Sequence, residues 1–282
     1  MDHEPARRNV KLVIAYHGAA YHGWQRQAEG IDTVQQRVEA AAAGVLRHGV
    51  TVFGAGRTDA GVHAAGQVAN LYTTRLAIPL RGLRRAMNSR LPRDIAIVSA
   101  CDVPESFHAS RSAIGKTYRY RIQVAPLRPT ELAGQVYHFW RTLDVEPMRA
   151  AAERLLGRHD FLGLATSAEE REDTTRTILR CDVAEDGEVV TVTVRGDGFL
   201  YNMVRNLVGT LIEIGRGRWG PDRIDAILAT RDRRQAGPTA PPDGLSLICV
   251  HYRPEDLRPP PGSAGRVSLP DPAAGGPVPP AG

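Results

Sequence analysis

A chain of 282 residues with 42% hydrophobic side chains is long enough to form one large domain or two ordinary ones around a substantial core. Its charged fraction of 24% is ordinary for a globular protein. The net charge of +5 suits a polyanionic partner. The basic residues are almost all arginines, since Lys11 and Lys116 are the only lysines. A general preference for arginine over lysine explains this arginine content equally well.

The cysteines and the apolar runs exclude several classes of protein. Cys101, Cys181 and Cys249 are odd in number, far apart and without CxxC spacing, which argues against a disulfide framework or a zinc site. No run approaches the roughly 20 apolar residues of a membrane-spanning helix. The first residues also lack the pattern of a signal peptide. We therefore expect a soluble, cytoplasmic protein.

Hydrophobic periodicity predicts a β–α–β–loop–β–α–β order for the first part of the chain. Thr33, with Gln36 three residues on, forms a capping box that starts the first helix. Pro79 is placed to start the second helix. The predicted strands are residues 10–16, which alternate as a half-buried strand does, and residues 51–53, 67–72 and 95–100.

Residues 54–63, read as GAGRTDAGVH, form a polar loop without hydrophobic periodicity. Its glycines allow a left-handed backbone or the close approach of another group. Thr58 and Asp59 can bond neighbouring backbone amides and shape a turn, with Arg57 beside them. From the loop alone, Asp59 is either a turn former or a carboxylate presented for chemistry, and the first interpretation is the commoner one.

The segment 116–124, KTYRYRIQV, predicts a strand with an aromatic face and a basic face. Such a strand could stack a base and hold phosphates. Alternatively, its aromatic face belongs to the core and its arginines are solvated, which the pattern alone favours. The aromatic face carries Tyr118, Tyr120 and Ile122, and the other carries Thr117, Arg119 and Arg121.

The rest of the chain predicts a second mixture of strands and helices. Helices are expected after Asp144, after Gly198 and from Pro221. Arg205 falls in the first turns of the second of these, where a cation gains nothing from the helix dipole. It therefore has either an acidic partner or a phosphate to bind, or is a plain exposed arginine. Strands are expected at 136–140, at 179–183 and 189–195 as a hairpin, and at 247–252.

Several motifs of common enzyme classes are missing. The chain contains no GxxxxGK[ST] or GxGxxG turn, no HExxH and no GxSxG elbow. A nucleotide cofactor, a zinc-protease helix and a serine nucleophile of the hydrolase type are therefore not expected. What remains is a loop carboxylate, a nearby arginine, a strand tyrosine and a basic surface.

The sequence GAGRTDAGVHAAGQVAN at 54–70 resembles the signature of the TruA family of tRNA pseudouridine synthases. The resemblance extends over roughly residues 8–253. After FHA, where the family often has Arg-Phe, this chain has Ser110 and Arg111, so local RNA contacts there are expected to differ. Further matching segments, in the family's order, are YHGWQRQ (21–27), TVQQRVE (33–39), FHA (107–109), KTYRYRI (116–122), RTI (176–178), GFLYNMVRNLVG (198–209) and APPDGLSL (240–247).

The resemblance implies conversion of uridine to pseudouridine at positions 38, 39 and 40 of the tRNA anticodon stem-loop. Asp59 matches the family's essential aspartate, the nucleophile. Tyr118 matches the tyrosine against the target base, Arg57 the arginine that holds the flipped-out nucleotide, and Arg205 the arginine that pairs with the aspartate. The resemblance also implies no metal or organic cofactor, and a homodimer whose two subunits both contact the tRNA. A pseudouridine synthase with another RNA target, or an inactive RNA-binding homologue, remains the alternative.

The alternation of strands and helices predicts an α+β fold. By resemblance this is the pseudouridine synthase fold, with two ferredoxin-like subdomains, a largely antiparallel central sheet and a cleft between the halves. We expect an N-terminal subdomain at 1–105 that carries the aspartate loop and a C-terminal subdomain at 106–254. Residues 255–282 are predicted to be a disordered tail, because nine of the chain's 20 prolines lie between Pro254 and Pro280.

Overall fold

The computed structural model describes residues 6–166 and 173–257. The chain divides into two compact units. Unit 1 runs to Ile114 and takes up the chain again at Leu247, whereas unit 2 is Gly115–Ser246. Of the predicted disordered tail, residues 255–257 belong to the short 3₁₀ turn Pro254–Leu257, and the rest lies outside the described residues.

The described residues form ten strands and five α-helices. The helices are α1 (Val34–Leu46), α2 (Leu80–Asn88), α3 (Val145–Glu153), α4 (Met203–Gly215) and α5 (Arg223–Thr230). The strands are β1 (Arg8–Tyr16), β2 (Phe53–Gly54), β3 (His63–Thr73), β4 (Ile95–Val103), β5 (Gly115–Val124), β6 (Tyr137–Phe139), β7 (Gly157–Asp160), β8 (Thr175–Asp186), β9 (Val189–Gly196) and β10 (Leu245–His251). This mixture confirms the predicted α+β class.

Unit 1 is a sheet in the order β4–β1–β3–β10, with the short β2 added to β3. Strand β1 runs antiparallel to both β3 and β4. Helix α1 begins where the capping box predicts, because the hydroxyl oxygen of Thr33 accepts a hydrogen bond from the amide of Gln36 at 3.4 Å. Unit 1 extends beyond the predicted boundary at 105 to Ile114. It also contains the chain from Leu247, ahead of the predicted boundary at 254, because β10 pairs with β3.

Strand β1 is covered on both faces, whereas its alternating sequence predicts a half-buried strand. On its polar face, Asn9 and Lys11 are both buried. The side-chain nitrogen of Asn9 donates to the carbonyl oxygens of Pro104 at 3.0 Å and Phe107 at 2.9 Å. The segment after β4 therefore covers the Asn9 end of this face, while the Lys11 ammonium lies 5.7 Å from the centre of the Tyr252 ring. Local alternation gives no sign of either contact.

Unit 2 is a sheet in the order β5–β9–β8–β7, with β6 running parallel to β5. Strands β8 and β9 are paired antiparallel from Asp186 opposite Val189 onward, which confirms the predicted hairpin. Strand β7 was not expected, because its sequence GRHD is polar; among the described residues its pairing partner is β8. On β5 the aromatic face is buried, as the core interpretation predicts, but Arg119 and Arg121 on the other face are only partly exposed.

Candidate active site

The loop 54–63 leads from β2 into β3, and its backbone is fixed on both sides of Asp59. The phenol of Tyr16 shares a buried hydrogen bond with the hydroxyl of Thr58, with 2.7 Å between the oxygens. The amide of Trp24 donates to the carbonyl of Thr58 at 3.0 Å, and the amide of Val62 donates to the carbonyl of Asp59 at 3.1 Å. Asp59 itself is partly exposed. A partly exposed carboxylate on an anchored backbone is suited to chemistry, because its position is set before any ligand arrives.

Glycines allow two segments of unit 1 to pack directly on this loop. Gly23 has a φ of 90°, and a Cβ there would lie 2.6 Å from the carbonyl oxygen of Thr58. A Cβ on Gly18 would overlap the carbonyl oxygen of Val62. In the loop itself, a Cβ on Gly54 would overlap the indole of Trp24. The group that approaches Gly54 closely is therefore a side chain of the protein.

Two buried polar side chains of α1 connect the YHGWQRQ segment to the strand before the loop. The Gln35 amide oxygen accepts from the backbone nitrogen of Arg26 at 2.8 Å, and its nitrogen donates to the carbonyl of Val52 at 3.0 Å. The Glu39 carboxylate accepts from the backbone nitrogen of Val52 at 3.0 Å and from the side chain of Arg26. The sequence reasoning assigned neither residue a role. Their spacing of four on one helix face was the available signal.

Arg57 and His63 have different surroundings within the loop. Arg57 is exposed, and its Nε donates to the side-chain oxygen of Gln25 at 3.0 Å. His63 is buried, and its Nδ1 accepts from the backbone nitrogen of Gly18 at 3.0 Å. His63 therefore holds the end of the loop, while the outer part of the Arg57 guanidinium reaches the surface.

The FHA segment (107–109) lies in unit 1 and is also anchored by polar contacts. The backbone nitrogen of Ala109 donates to the side-chain oxygen of Asn70 at 2.9 Å, and the Tyr252 hydroxyl donates to the carbonyl of Ala109 at 2.7 Å. The two positions that depart from the family pattern, Ser110 and Arg111, are both exposed. Their difference from the family therefore leaves the buried anchors of this segment unchanged.

Tyr118 lies on β5 in unit 2, with 8% of its surface exposed. Its ring meets that of Phe199 edge to face, with centroids 5.1 Å apart and an angle of 84° between the planes. Two residues along the strand, Tyr120 is fully buried and its hydroxyl donates to the carbonyl of Pro241 at 2.7 Å. Burial raises the pKa of Tyr120, and the nearby charge of Arg205 opposes that shift. The Tyr120 hydroxyl is therefore a neutral anchor for the 240–247 segment.

Arg205 lies in the first turn of α4, which begins after Asn202 in the left-handed conformation at φ 57°. Its Nε donates to the carbonyl of Ala240 at 2.7 Å, and its Nη1 donates to the side-chain oxygen of Asn202 at 3.1 Å. The backbone nitrogen of Ala240 in turn donates to the carbonyl of Arg205 at 3.1 Å. A guanidinium held by this many partners is not the plain exposed arginine that the sequence left open.

Of the four residues singled out from the sequence, two lie in each unit. Arg57 and Asp59 share one loop of unit 1, whereas Tyr118 and Arg205 belong to unit 2. Across residues 6–166 and 173–257, no group of three or more His, Cys, Asp and Glu side chains could hold a metal ion. Within the same residues, no helix is long and apolar enough to cross a membrane.

The chain matches a family model described as tRNA pseudouridine synthase at residues 12–110 and 151–253. The curated protein named tRNA pseudouridine synthase A from Syntrophotalea carbinolica is 44% identical over 247 residues, which cover 88% of this chain and 97% of that protein. The chain belongs to the TruA family of tRNA pseudouridine synthases. The first matched segment contains Arg57 and Asp59, the second contains Arg205, and Tyr118 falls between the two.

Other curated relatives of this TruA-family enzyme agree. The tRNA pseudouridine synthase A 2 of Clostridium perfringens is 42% identical over 245 residues, covering 87% of this chain and all of that protein. The tRNA pseudouridine synthase A of an Acinetobacter baumannii strain is 40% identical over 259 residues, covering 92% and 97%. The chain is therefore an isomerase that forms pseudouridine in tRNA, which confirms the family and the activity that the sequence implied.

Proposed function

We propose that this enzyme converts uridine to pseudouridine at positions 38, 39 and 40 of the tRNA anticodon stem-loop, with Asp59 as the nucleophile. The observation that carries the proposal is the anchored loop around Asp59, which lies inside the matched family segment. Its backbone is held on both sides while the carboxylate itself is partly exposed. Family resemblance supports the anticodon stem-loop as the target.

The isomerisation needs a carboxylate but no oxidant and no water. The N1–C1′ bond of the uridine breaks, the uracil turns, and a new bond forms between C5 and C1′. The hydrogen lost from C5 is balanced by the one gained at N1, so the product is an isomer of the substrate. An ionised Asp59 serves either possible first step, which is attack on C1′ or removal of a sugar proton to give a glycal.

The other residues are proposed to bind the substrate. Extracting a base from its stack costs a few kcal/mol, which the protein must offset. We assign the Tyr118 ring to contact with the uracil, because its plane is fixed by Phe199. Arg57 is exposed and its inner nitrogen donates to Gln25, which suits a guanidinium that replaces the extracted nucleotide. Arg205 supplies a fixed cation for the reacting nucleotide.

We further infer that the enzyme is a cytoplasmic homodimer whose two subunits both contact the tRNA. Family resemblance supports this inference, and the net charge of +5 is consistent with a polyanionic partner. Light scattering coupled to gel filtration, with and without tRNA, measures the mass of the assembly. A monomer throughout, or one protein chain per bound tRNA, would contradict it.

Site-by-site pseudouridine mapping of tRNA incubated with the purified protein tests the function. We expect wild-type signal at positions 38–40 and none with Asp59→Asn, which keeps the size of the side chain. Asp186→Asn, the same change at an exposed residue of the β8–β9 hairpin, is the matched control and should act like wild type. Binding of tRNA by Asp59→Asn should stay within about threefold, because affinity rests on many phosphate contacts.

Three results would overturn parts of the proposal. Signal elsewhere in tRNA, or in another RNA, would remove the anticodon stem-loop as the target. Substantial residual turnover by Asp59→Asn would remove Asp59 as the nucleophile. Absence of pseudouridine in every RNA tested would leave an RNA-binding homologue without activity.

A further inference from the structure

A saturated polar cluster lies beside Arg205 on α4. Asn206, the next residue, is fully buried. Its side-chain oxygen accepts from Nη2 of Arg233 at 2.8 Å and from the hydroxyl of Thr239 at 2.7 Å. Its side-chain nitrogen donates to the carbonyl of Leu164 at 2.9 Å. The same nitrogen also donates to the hydroxyl of Thr166 at 3.3 Å, so both hydrogens and both lone pairs of the Asn206 amide are used and none is left for a substrate. Its oxygen holds the segment that follows α5.

Arg233 joins that segment to α4. One guanidinium nitrogen, Nη1, donates to the carbonyl of Gly237 at 2.8 Å. The other, Nη2, donates to Asn206 at 2.8 Å and to the Thr239 hydroxyl at 3.2 Å. A planar fork with several donors can hold three acceptors in one fixed arrangement, whereas a lysine ammonium on a flexible stem cannot reproduce it.

The segment 236–241 lies directly on the backbone of α4. The backbone nitrogen of Gly237 donates to the hydroxyl of Thr210 at 2.9 Å. A Cβ on Gly209 would overlap the carbonyl oxygen of Pro238, so only glycine permits this approach. The far end of the segment is held by Tyr120, whose hydroxyl donates to the carbonyl of Pro241. The segment is therefore held against unit 2 at both ends, with Ala240 next to the anchored Pro241.

One of those carbonyls sets the direction of the Arg205 side chain. The oxygen of Ala240 accepts from Nε of Arg205 at 2.7 Å, and Ala240 also donates to the Arg205 carbonyl. Nε is the innermost donor of the guanidinium, so a shift of the Ala240 carbonyl turns the plane that carries the outer nitrogens. The chain of contacts thus runs from Arg233 through the 236–241 segment to Arg205.

We propose that Arg233 is a positioning residue for the reaction: it clamps the 236–241 segment on α4 so that Ala240 orients the guanidinium of Arg205. This inference rests on the proposed role of Arg205 in binding the reacting nucleotide. Arg233 itself touches no substrate. Because a displacement of about 1 Å at a catalytic group can cost roughly a hundredfold in rate, loss of the clamp should reach the chemistry.

A double-mutant cycle of Arg233 and Arg205, measured under single-turnover conditions, tests whether Arg233 acts through Arg205. Arg233→Met should lower the rate of pseudouridine formation by roughly ten- to a hundredfold and leave tRNA affinity within about threefold. In an Arg205→Ala background, the same substitution should cause no further loss, because the group it positions is gone. Arg234→Met is the matched control, since Arg234 is 89% exposed and pairs with Asp232 on the surface.

Two milder variants keep the test valid if Arg233→Met does not fold. Thr239→Val removes one hydroxyl without changing size and should lower the rate by a smaller factor, again only when Arg205 is present. Arg233→Lys keeps the charge and should not restore the wild-type rate, whereas a role as simple counter-charge predicts that it would.

The failures of the two proposals can be told apart. If wild type forms no pseudouridine, the proposed function fails. If wild type is active and Arg233→Met slows the reaction by the same factor with and without Arg205, the clamp is structural and the inference fails. A wild-type rate in Arg233→Met or in Arg205→Ala also overturns the inference.

Discussion

The phenol of Tyr16, at the end of β1, and the hydroxyl of Thr58, beside the proposed nucleophile, share a buried hydrogen bond of 2.7 Å. Burial raises the pKa of Tyr16, so the phenol remains neutral at physiological pH. The bond connects the aspartate loop to the central strand of unit 1. It fixes one neighbour of Asp59 in a place that water does not reach.

Removing either partner of this bond should destabilise the protein. Tyr16→Phe takes this partner from the buried Thr58 hydroxyl, at a cost of about 1–3 kcal/mol in the free energy of unfolding. Thr58→Val should cost less, because Gln67 still contacts the Tyr16 hydroxyl. The double variant should lose less than the sum of the two, because neither hydroxyl then remains. Urea denaturation of the four proteins measures this coupling, and strictly additive losses would contradict it.

The glycine contacts behind the loop give a second prediction. Gly18→Ala should cost about 2 kcal/mol or more, because its Cβ meets the backbone of Val62 and forces the loop to move. Gly82→Ala, in the exposed interior of α2 with open space around it, should instead stabilise the protein by about 0.5–1 kcal/mol. Thermal unfolding compares the two, and equal effects would argue against the close packing at Gly18.

The third prediction concerns Glu39, which holds the segment before the Asp59 loop. Its buried carboxylate accepts from the backbone of Val52, from Gln35 and from the exposed Arg26. Glu39→Ala leaves the buried donors unpaired and should lower the free energy of unfolding by about 3 kcal/mol. Glu29→Ala, at an exposed position of the same unit, should stay within about 0.5 kcal/mol of wild type. If urea denaturation shows the same loss of stability for both variants, Glu39 is not an anchor of this segment.

Cysteine reactivity provides a fourth prediction with a defined pH dependence. Burial raises the pKa of Cys181 to about 12, and the charge of Asp182 adds to the shift. At pH 8 the folded protein therefore keeps this thiol protonated almost completely, whereas a cysteine at the ordinary pKa of 9.0 is about one-tenth thiolate. Alkylation followed by mass spectrometry should show Cys181 reacting far more slowly in the folded protein than in urea. Similar rates in both states would contradict the burial.

The same shift has a consequence for stability in alkali. The pKa of Cys181 in the folded state lies above its ordinary value of 9.0. Above pH 9 the thiol ionises in the unfolded chain but stays protonated in the folded protein. The free energy of unfolding is therefore unaffected by this group below pH 9 and falls as the pH rises toward 12. Cys181→Ser or Cys181→Ala should therefore flatten the fall of stability between about pH 9 and 12. An unchanged slope would indicate that other groups dominate it.

Local signals in the sequence predicted many elements of the fold. Thr33 caps α1 as its spacing to Gln36 indicates, and the β8–β9 hairpin follows from two short alternating runs. These features depend on neighbours within a few residues, so the sequence records them directly. The four residues proposed for the site came from family motifs, and their roles stay predictions.

The sequence did not predict features that depend on residues far apart in the chain. Strand β7 pairs with β8, and the polar face of β1 is covered in part because Asn9 meets Pro104 and Phe107. The sequence also left the reason for Arg205 open. Its partners Ala240 and Asn202 appear only in the folded chain.

The sequence by itself determined the family, the isomerase activity and the local start of helices and strands, because motifs and periodicity are written in neighbouring residues. Only the tertiary structure decided how the loop of Asp59 and the guanidinium of Arg205 are held. Those positions rest on hydrogen bonds such as Tyr16 to Thr58 and Arg233 to Gly237. Hydrogen bonds act over about 3 Å, so which groups meet is settled only when the backbone has folded.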